Sequence, residues 1–163
     1  MGFKTLAAIV MIALTFGVTT ASHAKHHRKN IVATAAGAGQ FKTLIAAAKA
    51  AGLARVLARR RGLTVFAPTD AAFAKLGKRT LRSLLRPRNR HKLRRILLYH
   101  VLGRRVPAGK IPAGRTHVKT LAGKTVRLRK SRRGVRVNRS NVIKANVRAS
   151  NGIIHVIDRV LIP

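Results

Sequence analysis

Only two side chains in this protein carry a carboxylate, Asp70 and Asp158, against 36 Lys plus Arg. That ratio decides which chemistry is open to the chain. General acid–base catalysis works through paired titratable groups whose pKa values are pushed apart, and two acids far apart in sequence offer no such pair. Ser150, His155 and Asp158 are residue types of a nucleophilic triad and lie close together. In an extended strand, however, side chains alternate, so His155 and Asp158 fall on opposite faces. There is no cysteine, no zinc-type ligand spacing and no phosphate-binding glycine loop. The expectation is a protein that is not an enzyme and needs no cofactor. One metal geometry can be written down. If a leader is removed after Ala24, the new amine stands two residues before His27, and such a terminus can wrap Cu(II) or Ni(II) in a square plane. The plainer reading of K-H-H-R-K is a basic arm, and no metal site is assigned.

The chemistry the chain does hold in excess is cationic. The formal net charge is +34 with 47% hydrophobic residues, so the apolar mass of a globular core is present alongside the charge. Such a molecule attracts polyanions over long range. Arginine adds a planar fork that fits carboxylate, sulfate or phosphate through two parallel hydrogen bonds. Two places concentrate it. Arg90, Lys92, Arg94 and Arg95 lie opposite the apolar stripe Leu93, Ile96, Leu97, His100 and Val101. Arg127, Arg129 and Arg136 alternate with Val126, Leu128, Val135 and Val137 across an R-R-G turn, which reads as a hairpin with its arginines outward.

These faces need elements to carry them. Phe41, Leu44, Ile45 and Ala48 recur with helical spacing, Gly52 closes that helix, and Leu53, Val56 and Leu57 repeat the pattern. Thr64, Val65 and Phe66 read as a strand broken by Ala67-Pro68, and Thr69-Asp70 as a helix start. Leu81, Leu84 and Leu85 mark a short helix ended by Arg86-Pro87, and Asn89 is placed to cap the next. After residue 102 the character is β. Residues 141–149 read as a strand, Asn151-Gly152 as a turn, and residues 153–162 as the final strand, with Ile154, Val156, Asp158, Val160 and Ile162 on one face. Asp158 then needs a structural partner. At the other end, Lys4, an apolar run over residues 6–18 and the small residues before Ala24 read as a secretory signal over residues 1–24. Residues 25–29 follow as the basic arm. The expected product is secreted, extracellular or periplasmic, and does not span a membrane after signal cleavage.

Three motifs stand in order: T-V-F-A-P-T-D-A-A-F at residues 64–73, Tyr99-His100 followed by Val101, and S-N-G-I-I-H-V-I-D-R-V-L-I-P at residues 150–163. With N-I-V-A-T-A, F-K-T-L and A-G-L ahead of them, residues 30–163 resemble a fasciclin domain. The resemblance implies an α+β fold, a compact β wedge or sandwich wrapped by several short helices, in an exported protein with adhesive or matrix-associated roles. Asp70 and Asp158 fall on the family's motif aspartates. Tyr99 and His100 fall where some animal members are implicated in adhesion, but a packed aromatic and a hydrogen-bonded histidine at a helix end need no further explanation. The sequence departs from the pattern in charge: Arg82, Arg86, Arg88, Arg90 and Lys92 leave no acid where the family mixes both signs, and Arg-Gly-Asp is absent. The expected function is therefore an exported adhesion or matrix protein. Its expected partners are acidic polysaccharide, a phosphate-rich polymer or an anionic cell surface, with extracellular DNA as a further polyanion. Two alternatives are a non-specific DNA binder and a charge that only reflects adaptation to the environment.

Overall fold

The computed structural model describes residues 29–163. The expected signal segment and His27 lie outside the described residues. Among the described residues there are six α-helices: α1 (Ile31–Gly37), α2 (Lys42–Ala50), α3 (Ala54–Arg59), α4 (Asp70–Ala74), α5 (Lys78–Leu85) and α6 (Arg90–Tyr99). Seven strands accompany them: β1 (Leu63–Pro68), β2 (Val101–Leu102), β3 (Gly114–Lys119), β4 (Thr125–Ser131), β5 (Gly134–Val137), β6 (Ser140–Ala149) and β7 (Gly152–Ile157). The strands form one sheet in the order β2-β1-β7-β6-β5-β4-β3. Only β1 and β7 run parallel. The sheet curls until its two ends meet, where Leu121 N–H, just past β3, donates to Val101 C=O of β2 at 2.8 Å. The fold is thus mixed α+β, with the wedge made by one nearly closed sheet.

Every residue of β1 and β7 is buried, as expected of adjacent parallel strands covered on both faces. They divide the interior into two cores. On one face, Val65, Ala67, Ile154 and Val156 meet the helices through Phe41, Leu44, Leu93 and Leu97. On the other, Phe66 and Ile157 join Leu102, Val118, Val126, Leu128 and Val137 inside the curl. The helices follow the apolar periodicity. Gly52 takes φ +69° after α2, and Leu53 N–H closes back onto Ala48 C=O at 2.9 Å, the left-handed exit that favours glycine.

Several details differ from the sequence reading. β1 continues through Ala67 to Pro68, because Pro68 pairs at the last rung of the β1–β7 ladder, where its missing N–H costs little. Val56, expected inward, is 47% exposed, since a six-residue helix turns only one narrow stripe to the core. The Asn89 side chain makes no cap; its amide donates to Ser83 C=O at 2.6 Å and ties α5 to α6. The last strand stops at Ile157, so Asp158 lies beyond it and Ile162 is 61% exposed. Finally, Ala149 pairs with Gly152, so the tight turn consists of Ser150 and Asn151.

Gly152 therefore belongs to the strand, and what it supplies is closeness. A Cβ there would press into the Leu63 carbonyl and the Ile31 side chain. Gly152→Ala is expected to lower the unfolding free energy by about 2 kcal/mol, the usual scale of overpacking. Urea titration checks this; an unchanged midpoint would mean that β1 and β7 can separate freely.

Candidate anion-binding surfaces

Both acids are occupied by the backbone. Asp70 begins α4 behind the Thr69 cap, whose hydroxyl accepts from Ala72 N–H at 3.2 Å. Its carboxylate reaches across to the start of α2, accepting from Thr43 N–H at 2.7 Å and Lys42 N–H at 3.2 Å. One carboxylate thus serves the positive ends of two helices. Its burial would raise the pKa, but the Thr43 and Lys42 hydrogen bonds and the Lys42 charge together hold it below the ordinary range. Asp158 is clamped to β6: Asn141 N–H donates to one oxygen at 2.8 Å and the Asn141 amide to the other at 2.9 Å. There too burial acts upward, and the Asn141 hydrogen bonds with the Lys75 and Arg159 charges outweigh it. Asp70→Asn keeps the shape but weakens the acceptor. The expected loss is about 1 kcal/mol at neutral pH, on the scale of a lost helix cap. The wild-type advantage should disappear as pH falls through the lowered carboxyl range, a comparison read from denaturation curves of both proteins.

Tyr99 and His100 are buried, at 5% and 2% exposure. Tyr99 O–H donates to Thr125 C=O at 3.0 Å and accepts from the Asn138 amide at 3.0 Å, which pins the β4–β5 hairpin to α6. His100 Nδ1–H donates to Ile96 C=O at 2.8 Å, and Nε2 accepts from Leu161 N–H at 2.9 Å. Both ring nitrogens are used in the neutral form. Neither side chain presents a surface. His155 is buried as well. It stacks on Phe66 with ring centroids 5.7 Å apart, and its Nε2–H donates to Val106 C=O at 2.9 Å. No triad forms, since Asp158 turns to Asn141.

The cations stay outside. Arg90, Lys92, Arg94 and Arg95 are all exposed on α6. Arg90 has a structural contact too: its guanidinium lies against Gly52, at the C-terminal end of α2, where the helix dipole favours a cation. On the sheet, Arg127, Arg129 and Arg136 are exposed while Val126, Leu128 and Val137 are buried. Val135, expected inward with them, is only partly buried. The register then adds a residue that sequence reasoning missed. Arg129 pairs with Arg136 on one side and with Arg115 on the other. Three arginines therefore stand in one row across β3, β4 and β5, and His117 faces Arg127 beside them. Strand β3 escaped notice because its alternation buries only Val118. The two cationic faces stand apart: α6 packs on α2, α5 and β2, and the arginine row covers the curled sheet.

A curled seven-stranded sheet with helices banked against one end is the architecture of the FAS1 domain. It is similar to a FAS1 domain pair from the insect cell adhesion molecule Fasciclin I, with a TM-score of 0.52 and 22% identity, over 78% of this chain and 45% of that one. The fasciclin domain model matches residues 39–163, and the chain belongs to the fasciclin family. Among its relatives, Protein sll1483 of Synechocystis sp. is 41% identical over the whole chain and 89% of its own length. Transforming growth factor-beta-induced protein ig-h3 of Sus scrofa is 37% identical over 78% of this chain, which spans only 18% of that protein. Immunogenic protein MPB70 of Mycobacterium bovis is 34% identical over 61% of this chain and 49% of its own.

Proposed function

We propose that this fasciclin-domain protein is exported and acts in adhesion or matrix assembly, holding anionic polymers or surfaces on its arginine-rich faces. The observation behind this reading is the row Arg115, Arg129 and Arg136. Like charges directly opposite one another destabilise a sheet, and the only two carboxylates of the chain are engaged elsewhere. A polymer with regularly spaced anions would remove that penalty. The family membership supports the adhesive part, and the sheet face supplies the anion chemistry. Among the described residues, no helix is long and apolar enough to cross a membrane.

The test replaces Arg90, Lys92, Arg94, Arg95, Arg127, Arg129 and Arg136 with glutamine and follows binding to polyphosphate, an acidic polysaccharide and duplex DNA as salt is raised. Affinity controlled by these contacts falls with salt, with a slope set by the number of charges neutralised. A clearly shallower slope in the variant is expected. An unchanged slope removes these residues from the site. A second reading, adaptation of the whole surface to its surroundings, draws on the spread of exposed cations over α3, α5 and the β4–β5 turn as well. Thermal unfolding separates the two. A specific polymer raises the midpoint beyond sodium chloride at matched ionic strength, whereas an adaptive charge gives the same curve for both.

A further inference from the structure

The structure assigns the polymer a path along β6, and the polymer's class as an acidic polysaccharide. This rests on the anionic-polymer reading above and names its site. β6 runs from Ser140 to Ala149, but β5 pairs only with Ser140 and Asn141. From Val142 onward, only the β7 side of β6 carries a ladder.

Three depressions follow this strand in order. The first, about 400 Å³, joins Ser140 to Arg139 and Arg159. The second, about 370 Å³, joins Asn141 to Arg129, Arg133 and Arg136. The third, about 660 Å³, joins Asn146, Arg148 and Ser150 to Arg105. Each combines at least two guanidinium groups with serine or asparagine side chains, and none is lined by an acid. Ser140 and Ala149 stand about 30 Å apart along an extended strand. Sequence reasoning found the arginines of the middle depression other than Arg133. It passed over both ends, because Arg105, Arg148 and Arg159 come together only through the fold.

The chemistry selects the ligand. Arginine forks take carboxylate or sulfate in bidentate fashion, and the exposed side chains of Asn146 and Ser150 take ring hydroxyls. Volumes of this size suit a small ring rather than a bare ion. Duplex DNA is stiff over far longer distances than this path, and no aromatic side chain lines any depression to stack an unpaired base. An added peptide strand would need an even ladder, yet β6 shifts register between Val142 and Lys144 and again between Lys144 and Val147. Such bulges are a device that stops edge pairing.

The experiment measures binding of oligogalacturonates of increasing length to the full chain by calorimetry, with duplex DNA of equal charge as comparison. Three double variants are compared with wild type: Arg105→Gln with Arg148→Gln, Arg139→Gln with Arg159→Gln, and, on α5, Arg79→Gln with Arg82→Gln. The last pair is exposed but lines none of the three depressions. All six side chains are exposed, and thermal midpoints verify that each variant folds. Affinity is expected to rise with length and level off once the oligomer spans the path. Each end pair should lower affinity for long oligomers about tenfold, the scale of losing charged hydrogen bonds, and the Arg79–Arg82 pair far less. Equal losses from all three pairs would overturn the path, while the arginine faces are judged separately by the salt slope of the sevenfold variant. DNA binding as tightly, with the same sensitivity to the end pairs, would overturn the polysaccharide assignment. Binding of neither polymer beyond ionic-strength effects would overturn both readings.

Discussion

Asn151→Ala is expected to lower the unfolding free energy by about 3–5 kcal/mol, the upper range for a single substitution. Asn151 is buried in the β6–β7 turn. Its Oδ1 accepts from Ile31 N–H at 2.8 Å. Its amide nitrogen donates to Leu57 C=O at 2.7 Å and Arg60 C=O at 2.8 Å, with Ala58 C=O at 3.2 Å sharing a hydrogen. One side chain thus joins the start of α1, the end of α3 and the last hairpin. Alanine strands the buried Ile31 donor and Leu57 carbonyl and removes the bonds to Ala58 and Arg60, and each stranded buried group costs about 1–3 kcal/mol. Asn151→Asp separates shape from bonding. It fills the same space but offers the α3 carbonyls no hydrogen, so it should be at least as damaging at neutral pH. Denaturant midpoints of both variants decide the matter. An aspartate variant close to wild type would mean that the amide only fills space.

Acid is expected to destabilise the domain well before the carboxylates titrate. Burial pushes His100 down to about 4, against a smaller upward pull from the Ile96 carbonyl. Burial lowers His155 as well, with Val106 C=O pulling the other way. In the unfolded chain both rings titrate near the ordinary 6.5. Between these values the unfolded chain takes up protons that the native fold refuses, so stability is complete above pH 6.5 and drains away as pH falls toward 4. For His100 alone the loss amounts to about 3 kcal/mol, from 1.36 kcal/mol per pKa unit, and His155 adds to it. Below that range Asp70 and Asp158 lose their own contributions as they protonate. Urea midpoints recorded from pH 7.5 to 4.5 should stay level down to about pH 6.5 and fall steadily below it. His100→Gln, weaker at pH 7.5, should show a flatter profile. A wild-type midpoint that stays level over this range would place the histidines in contact with water.

Sequence patterns gave away the elements whose burial is one-sided. Phe41, Leu44 and Ala48 on α2, the α6 stripe and the Val126–Leu128–Val137 hairpin each set one apolar face against a charged one, and each lies where its period places it. Period failed where both faces are buried. β7 is buried throughout because it sits between β1 and β6 with a core on either side, so parity could not show where it stops or where Asp158 points. Asn151 carried a turn signal that concealed its larger role, since bonds to Ile31 and Leu57 span most of the chain. The candidate surface divides in the same way. Arg127, Arg129 and Arg136 were legible from alternation, but Arg115 joins them only through strand register, and Arg105 meets Arg148 only across a groove.

The position of β7 also bears on how the chain becomes a domain at all. β7, the last of the described strands in chain order, sits inside the sheet between β1 and β6, and its parallel neighbour β1 lies some ninety residues earlier. Until residues 152–157 leave the ribosome, β1 and β6 have nothing between them and neither core can close. Contacts this distant in sequence slow folding, because the intervening loop must be closed first, and mutual repulsion among so many cations keeps the unfinished chain expanded. Folding is thereby deferred until β7 is available to pair, and any shorter length of the growing polypeptide stays open.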